Sequence, residues 1–212
     1  GREGLRNFLG ETVRGIIHSD RWGGYARLLL TQRQLCWSHL KRDFQKLIDS
    51  GSAAAAKTGR AGLRVAEDLF TIWHEYKNGA FGRRALQNRM APVQRRLKRI
   101  LEHGRDGPDD ATIRFCRRIL KLFPALWTFV YRPGVEPTNN HVERQLRPGV
   151  MWRRRSFGNH SAAGCRFTER ILTVVQTLRL QNRSVLPYLR EAIIAHRNGM
   201  QPALPLIYPL VG

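Results

Sequence analysis

Apolar residues recur along this chain mainly at helical spacing. After Ser38, Leu40, Phe44 and Leu47 fall on one face of a predicted helix, with Ser38 its natural N-cap. From Ser52 to about Arg132 three further helices are predicted. The first, about Ala53–Tyr76, places Leu69, Ile72, Trp73 and Tyr76 on a face; the second, about Phe81–Glu102, does so with Leu86, Met90, Val93, Leu97 and Leu101. The third, Asp110–Tyr131, carries Ile113, Cys116, Leu120, Phe123, Trp127 and Val130, is capped by Asp109 or Asp110, and should kink at Pro124. These stripes read as core.

Strand signals are confined to the start of the chain. Val13–Ser19 reads as a short buried strand and Gln34–Trp37 as a second. Leu5–Leu9 resembles the last turn of a helix closed by Gly10, and Ala26–Leu30 a short helix. Towards the other end, Pro137-Thr138-Asn139-Asn140 should open a short helix that Pro148 stops, and Gly149–Asn159 should be a loop. Ser161 caps a helix over about 162–180 with Phe167, Ile171, Val174, Val175 and Leu178 inward. Another helix spans about 184–196, kinked or restarted at Pro187, before an extended tail at 201–212. The expected class is therefore α+β, predominantly helical.

Charge changes the picture. The chain has 212 residues, with 37 Lys and Arg against 16 Asp and Glu, a formal net charge of +21. Such an excess points to a polyanionic partner, nucleic acid first and an acidic membrane surface second. No apolar run reaches the length of a membrane span. Three scattered cysteines without a CxxC pair point to a reduced, cytoplasmic setting. The chain begins without methionine or a signal-peptide core, as though entered partway through a helix, and is expected to be a piece of a longer protein.

Two acids stand in informative positions. Asp20 follows the first strand directly and precedes a glycine turn, where α/β proteins place functional groups; it equally fits a cap on the next helix. Glu143 falls in the first turn of a helix, flanked by Arg144 and Arg147; with Asn140 it also fits a capping box. Arg153, Arg154 and Arg155 suit phosphate, and Trp152 and Phe157 suit either base stacking or packing under their loop. The basic run from Arg83 to Arg99 fits DNA or a solvated helix face. Cys36-Trp37-Ser38-His39 has too few partners for a closed zinc site: Cys36 reads as buried, and His39 as a core histidine or a site-lining one.

More than a hundred residues separate the acids. Closing such a span as flexible chain costs roughly 4 kcal/mol plus a constant, which a self-packed helical insertion reduces. Two carboxylates 4 Å apart repel by about 4 kcal/mol at an effective dielectric near 20, a cost a divalent cation offsets.

The segments Ser19-Asp20-Arg21-Trp22-Gly23-Gly24-Tyr25, Cys36-Trp37-Ser38-His39 and Thr138-Asn139-Asn140-His141-Val142-Glu143-Arg144-Gln145-Leu146-Arg147-Pro148, in that order, resemble the transposase family of insertion sequence 66. Similarity continues through Ser156-Phe157-Gly158 and the helix Phe167–Leu178. These are DDE enzymes with a ribonuclease-H-like fold. The resemblance implies that Asp20 and Glu143 are the second and third acids of the triad and hold Mg²⁺ or Mn²⁺. It implies that Cys36, His39 and Asn140 line the site, and that Arg144, Arg147 and Arg153–Arg155 bind DNA. Thr138 stands where relatives often have Asp, a mild departure.

It further implies a partial ribonuclease-H-like fold: first part of the core at 1–51, helical insertion at 52–135, and remainder of the core at 136–200. The first acid and the early strands would lie upstream, leaving an open edge near Ile16 and Ile17. The implied activity is metal-dependent cleavage and strand transfer at transposon DNA ends by a homo-oligomer acting on target DNA. The alternative is a non-catalytic, basic DNA-binding remnant. An RNA-binding protein of the ribosomal kind also fits the charge, but gives the two acids no role.

Overall fold

A computed structural model describes residues 2–10 and 12–201. They are predominantly helical, as expected. The expected tail lies, apart from its first residue, outside the described residues. The chain divides into two compact units, 1–140 and 141–212.

The first unit opens with α1 (Arg2–Leu9), closed at Gly10, whose N–H bonds Arg6 C=O at 2.8 Å and whose φ of 72° suits glycine. Two three-residue strands follow, β1 (Ile17–Ser19) and β2 (Arg33–Leu35), paired in parallel with Ile17 opposite Arg33 and Ser19 opposite Leu35. Parallel strands need a crossover of about a dozen residues. Residues 20–32 provide it as two 3₁₀ turns, Gly23–Arg27 and Leu30–Gln32, instead of the expected helix over Ala26–Leu30. Both strands are shorter than predicted, the first because only its last residues find a partner.

An isolated strand pair is not stable by itself. Here β2 is buried throughout, and side chains on it and just after it are bonded to the far end of the helical region. Gln34 Nε2 donates to Leu126 C=O (3.1 Å), and Phe129 N–H donates to Gln34 Oε1 (2.8 Å). Trp37 Nε1 also donates to Leu126 C=O, at 2.9 Å. Buried polar groups without partners are costly, so these bonds fix where the 126–129 segment docks.

Helix α2 (Trp37–Ile48) begins two residues earlier than predicted. Cys36, not Ser38, is its N-cap, and its N–H bonds Ser19 C=O at 2.9 Å, so β1 pins the helix start. Then come α3 (Ala53–Lys77), α4 (Arg83–Arg105) and α5 (Asp110–Lys121), packed in sequence order. Ser52 and Asp109 cap α3 and α5, accepting from Ala55 N–H (3.3 Å) and Thr112 N–H (2.7 Å). Every predicted face residue of α4 is buried. With Phe44, Leu69, Trp73 and Ile119 they form one core continuous with Trp37 and Leu35.

The third predicted helix is interrupted more severely than by a kink. It ends at Lys121, gives way to a 3₁₀ turn at Phe123–Leu126, and resumes as the single turn α6 (Thr128–Tyr131). Pro124 takes the second position of that turn, where no donor is required. Part of the basic face of α4 is structural: Arg83 donates to the carbonyls of Phe129 and Val130 (3.1 Å each), ending α6, and Arg96 pairs with Asp68.

The second unit holds α7 (Asn140–Ser156), α8 (Ala162–Leu180) and α9 (Val185–Arg197). Pro148 does not stop α7. It denies one bond to the Arg144 carbonyl, yet the helix runs on for two more turns. Next to it, α7 touches α8 at one point: a Cβ on Gly149 would lie 2.8 Å from Leu172 Cδ1. The expected loop at Gly149–Asn159 is helical to Ser156. Ser161 caps α8, accepting from Gly164 N–H at 3.0 Å. Leu178 is buried and Ile171, Val174 and Val175 are half-buried, but Phe167, expected inward, is exposed. Pro187 sits in the first turn of α9 without a kink, where its missing N–H has no intrahelical partner to lose.

Candidate functional site

Asp20 sits immediately past the carboxyl end of β1. Its Oδ1 accepts from Trp22 N–H at 2.9 Å, closing the turn into the first 3₁₀ segment. The N-cap of that segment is Trp22, without a side-chain cap, so Asp20 closes a local turn and does not cap the helix; its carboxylate lines a cleft of about 560 Å³. Arg33 holds the strand end from beneath. This buried residue donates through Nη2 to Ser19 Oγ (3.1 Å) and Asp20 C=O (3.3 Å), through Nη1 to Tyr25 C=O (3.4 Å), and lies over the Tyr25 ring. Burial lowers the Arg33 pKa, and the negative charge of Asp20 works against that.

The other walls of the cleft come from α2 and α5. His39 and Asp43 lie one turn apart on α2, with Lys46 beyond; α5 contributes Arg118 and Lys121. Asp43 is held by Arg21 and by Lys46 (3.4 Å). Arg21 also lies over the Phe115 ring of α5, 5.2 Å from its centroid, so the cleft spans strand end, α2 and α5. Asp43, Lys46, Arg118 and Lys121 were not singled out from sequence. No local pattern marks them, because the packing of α5 near α2 is what brings them together.

Asp20 and His39 therefore share one cleft. Cys36 is buried at the start of α2, tied to Ser19, and does not line it. Asn140 begins α7, Glu143 lies in its first turn, and Arg144, Arg147 and Arg153–Arg155 follow along it; all seven are exposed. Asp20 belongs to the first unit and Glu143 to the second.

Among the described residues, no group of three or more His, Cys, Asp or Glu side chains is clustered to hold a metal ion. The donor chemistry of Asp20 still suits a hard cation such as Mg²⁺, which takes one or two carboxylates and completes its shell with water and substrate phosphate. Asp43, the other carboxylate of the cleft, is engaged by two cations.

The chain leaves this region after α2 and returns to it. Trp37 N–H donates to Pro137 C=O at 3.0 Å. Burial lowers the pKa of His18 of β1, while the backbone of Thr138 and the charge of Glu136 oppose the shift.

Fold and cleft define a class: a basic, mostly helical chain on a short parallel strand pair, with a carboxylate at the pair's carboxyl edge. The chain belongs to the Transposase IS66 family, whose family model matches residues 1–167. It is also similar to the protein named "Uncharacterized protein y4qI" of Sinorhizobium fredii (strain NBRC 101917 / NGR234), with 24% identity over 199 residues, covering 87% of this chain and 36% of that protein. The chain thus spans about a third of the length of the curated relative it matches. No solved structure matches it. No described helix is long and apolar enough to cross a membrane.

Proposed function

We propose that this chain is the part of a DDE transposase that carries two of its three catalytic acids, Asp20 and Glu143, and that it acts in DNA transposition as a homo-oligomer. On this reading β1 and β2 belong to a ribonuclease-H-like core, and residues 52–135 are a helical insertion within it. The observation that carries the reading is the return of the chain at Pro137 to the start of α2, beside the strand that ends in Asp20: Trp37 N–H donates to Pro137 C=O, while Cys36 N–H donates to Ser19 C=O. Glu143 follows Thr138 by five residues.

Asp20 and Glu143 would then hold Mg²⁺ or Mn²⁺, which when bound supplies charge neutralisation and an activated water or 3′ hydroxyl for in-line phosphodiester displacement. The protein's own groups orient the strand. Arg118, Lys121 and Lys46 in the Asp20 cleft, and Arg144, Arg147 and Arg153–Arg155 on α7, position phosphates. His39 lines the cleft, Cys36 anchors its α2 wall, and Asn140 starts the helix that carries Glu143. Arg33 keeps the strand end, and with it Asp20, in place.

The test is strand cleavage at transposon ends by the complete transposase with Glu143→Gln or Asp20→Asn. Each substitution should abolish metal-dependent nicking and leave DNA binding largely intact. Full cleavage by either variant removes the assignment. A second reading is a non-catalytic DNA-binding remnant, for which the net charge of +21 supplies the binding without any catalytic acid. Binding without nicking by the complete parent protein would establish it.

A further inference from the structure

Left-handed backbone is taken almost only by glycine among the described residues. Among the described residues, the non-glycine exceptions are Asn182, a residue type that tolerates it, and Phe157, with φ of 59°. For a bulky aromatic this conformation is an outlier, and such outliers persist where surrounding structure enforces them, often at functional sites. Burial does not offset the strain, because Phe157 is 89% exposed, the most exposed of the large hydrophobic side chains described. Packing under its loop, one of the two readings open from sequence, is therefore not what the ring does.

The flanks hold the ring in position. On one side α7 ends with Arg153, Arg154 and Arg155, all exposed. Gly158, with φ of 86°, continues the turn next to the Arg153 stem. On the other side, Asn159 and Thr168 exchange side-chain hydrogen bonds of 3.0 and 3.2 Å, and Ser161 caps α8. An apolar ring is thus presented to solvent from a braced turn, directly after three guanidinium groups. Charge selects a polyanion, and the flat ring beside it matches the face of a base.

We infer that Phe157 is a base-stacking residue, which takes an unpaired or unstacked base of the DNA whose phosphates the α7 arginines hold. This rests on the DNA-binding part of the proposed function and adds a contact to the base itself.

The test uses the purified chain and a DNA oligonucleotide carrying 2-aminopurine at an unpaired position, read by anisotropy and by 2-aminopurine fluorescence. Phe157→Ala should weaken binding about 5- to 150-fold and lose the fluorescence change, while the salt dependence stays that of the parent because no charge has changed. Phe157→Trp should keep both signals. Phe157→Gly should melt about 2–4 °C above the parent by relieving the backbone, yet lose the stacking signal as Phe157→Ala does. Parental affinity and fluorescence in Phe157→Ala overturn the inference and leave the DNA-binding reading standing. So does a changed oligomeric state with DNA binding untouched, which would assign the ring to a second copy of the chain. Failure of the parent itself to bind the oligonucleotide at low salt removes the DNA-binding reading, and this inference with it.

Discussion

Gly59 and Gly62, one turn apart in the middle of α3, are where a helix-propensity argument and the packing give opposite signs. Exchanging glycine for alanine in a helix interior ordinarily stabilises by about 1 kcal/mol. A Cβ on Gly59, however, would lie 2.5 Å from the carbonyl oxygen of Phe44, 2.8 Å from Ile48 Cγ1 and 3.2 Å from Ile48 N. Two of those three atoms are main chain of α2 and cannot rotate away. A Cβ on Gly62 would meet three ring carbons of Phe44 at 2.4–2.5 Å. That ring is fully buried and edge-on to Phe115, with centroids 5.5 Å apart, so it cannot turn without moving α5. Overpacking of this kind costs about 1–3 kcal/mol, more where backbone must shift. The clash therefore wins at Gly59.

Gly59→Ala is expected to destabilise by about 1–2 kcal/mol net, lowering the melting temperature by roughly 2–8 °C for a chain of this size. Thermal unfolding followed by circular dichroism measures it. Gly4→Ala is the control, since a Cβ there meets nothing within 4 Å; it should leave the melting temperature unchanged or slightly raised. Because α2 also carries His39, Asp43 and Lys46, forcing α3 away from it should disturb the Asp20 cleft as well. A Gly59→Ala protein melting at or above the parent would refute the argument that the two helices touch through backbone.

Three other outcomes are expected. Arg33→Met should destabilise by roughly 2–4 kcal/mol in chemical denaturation, because it strands the acceptors at Ser19, Asp20 and Tyr25; a loss under 1 kcal/mol would show that the guanidinium does not hold the strand end. Folding lowers the His18 pKa from its ordinary 6.5, so the unfolded chain takes up the proton first. Stability linked to His18 should be fully present above about pH 6.5 and fall as pH drops through that value towards the folded pKa; His18→Gln should flatten this part of a urea-midpoint profile, and an unchanged slope would count against it. Cys36 and Cys116 are buried and Cys165 is exposed, and burial pushes the Cys116 thiol up to about 11. A thiol reagent at neutral pH should accordingly label one of the three cysteines quickly in the native chain and all three after unfolding; rapid labelling of Cys116 would contradict its burial.

What could be read from the amino acids alone is what depends on near neighbours in the chain. The apolar spacing of α3, α4 and α8, the caps at Asp109 and Ser161, the left-handed stop at Gly10, and the place of Asp20 and Glu143 just past a strand and in a first helical turn all involve residues a few positions apart. Family membership was legible for the same reason, since its motifs are short contiguous strings. What depends on distant residues was decided only in three dimensions. Pro148 lies inside α7, beside the point where Gly149 approaches Leu172 of α8. Cys36 starts α2 because Ser19 holds its N–H. Arg83 is committed to the end of α6, while Arg118 and Lys121, unremarkable on their own helix, meet Asp20 across the cleft. The exposure of Phe157 and its left-handed backbone likewise belong to the tertiary structure. Local preferences amount to a kilocalorie or less per residue, so a single packing contact or a buried hydrogen bond between remote segments is enough to override them.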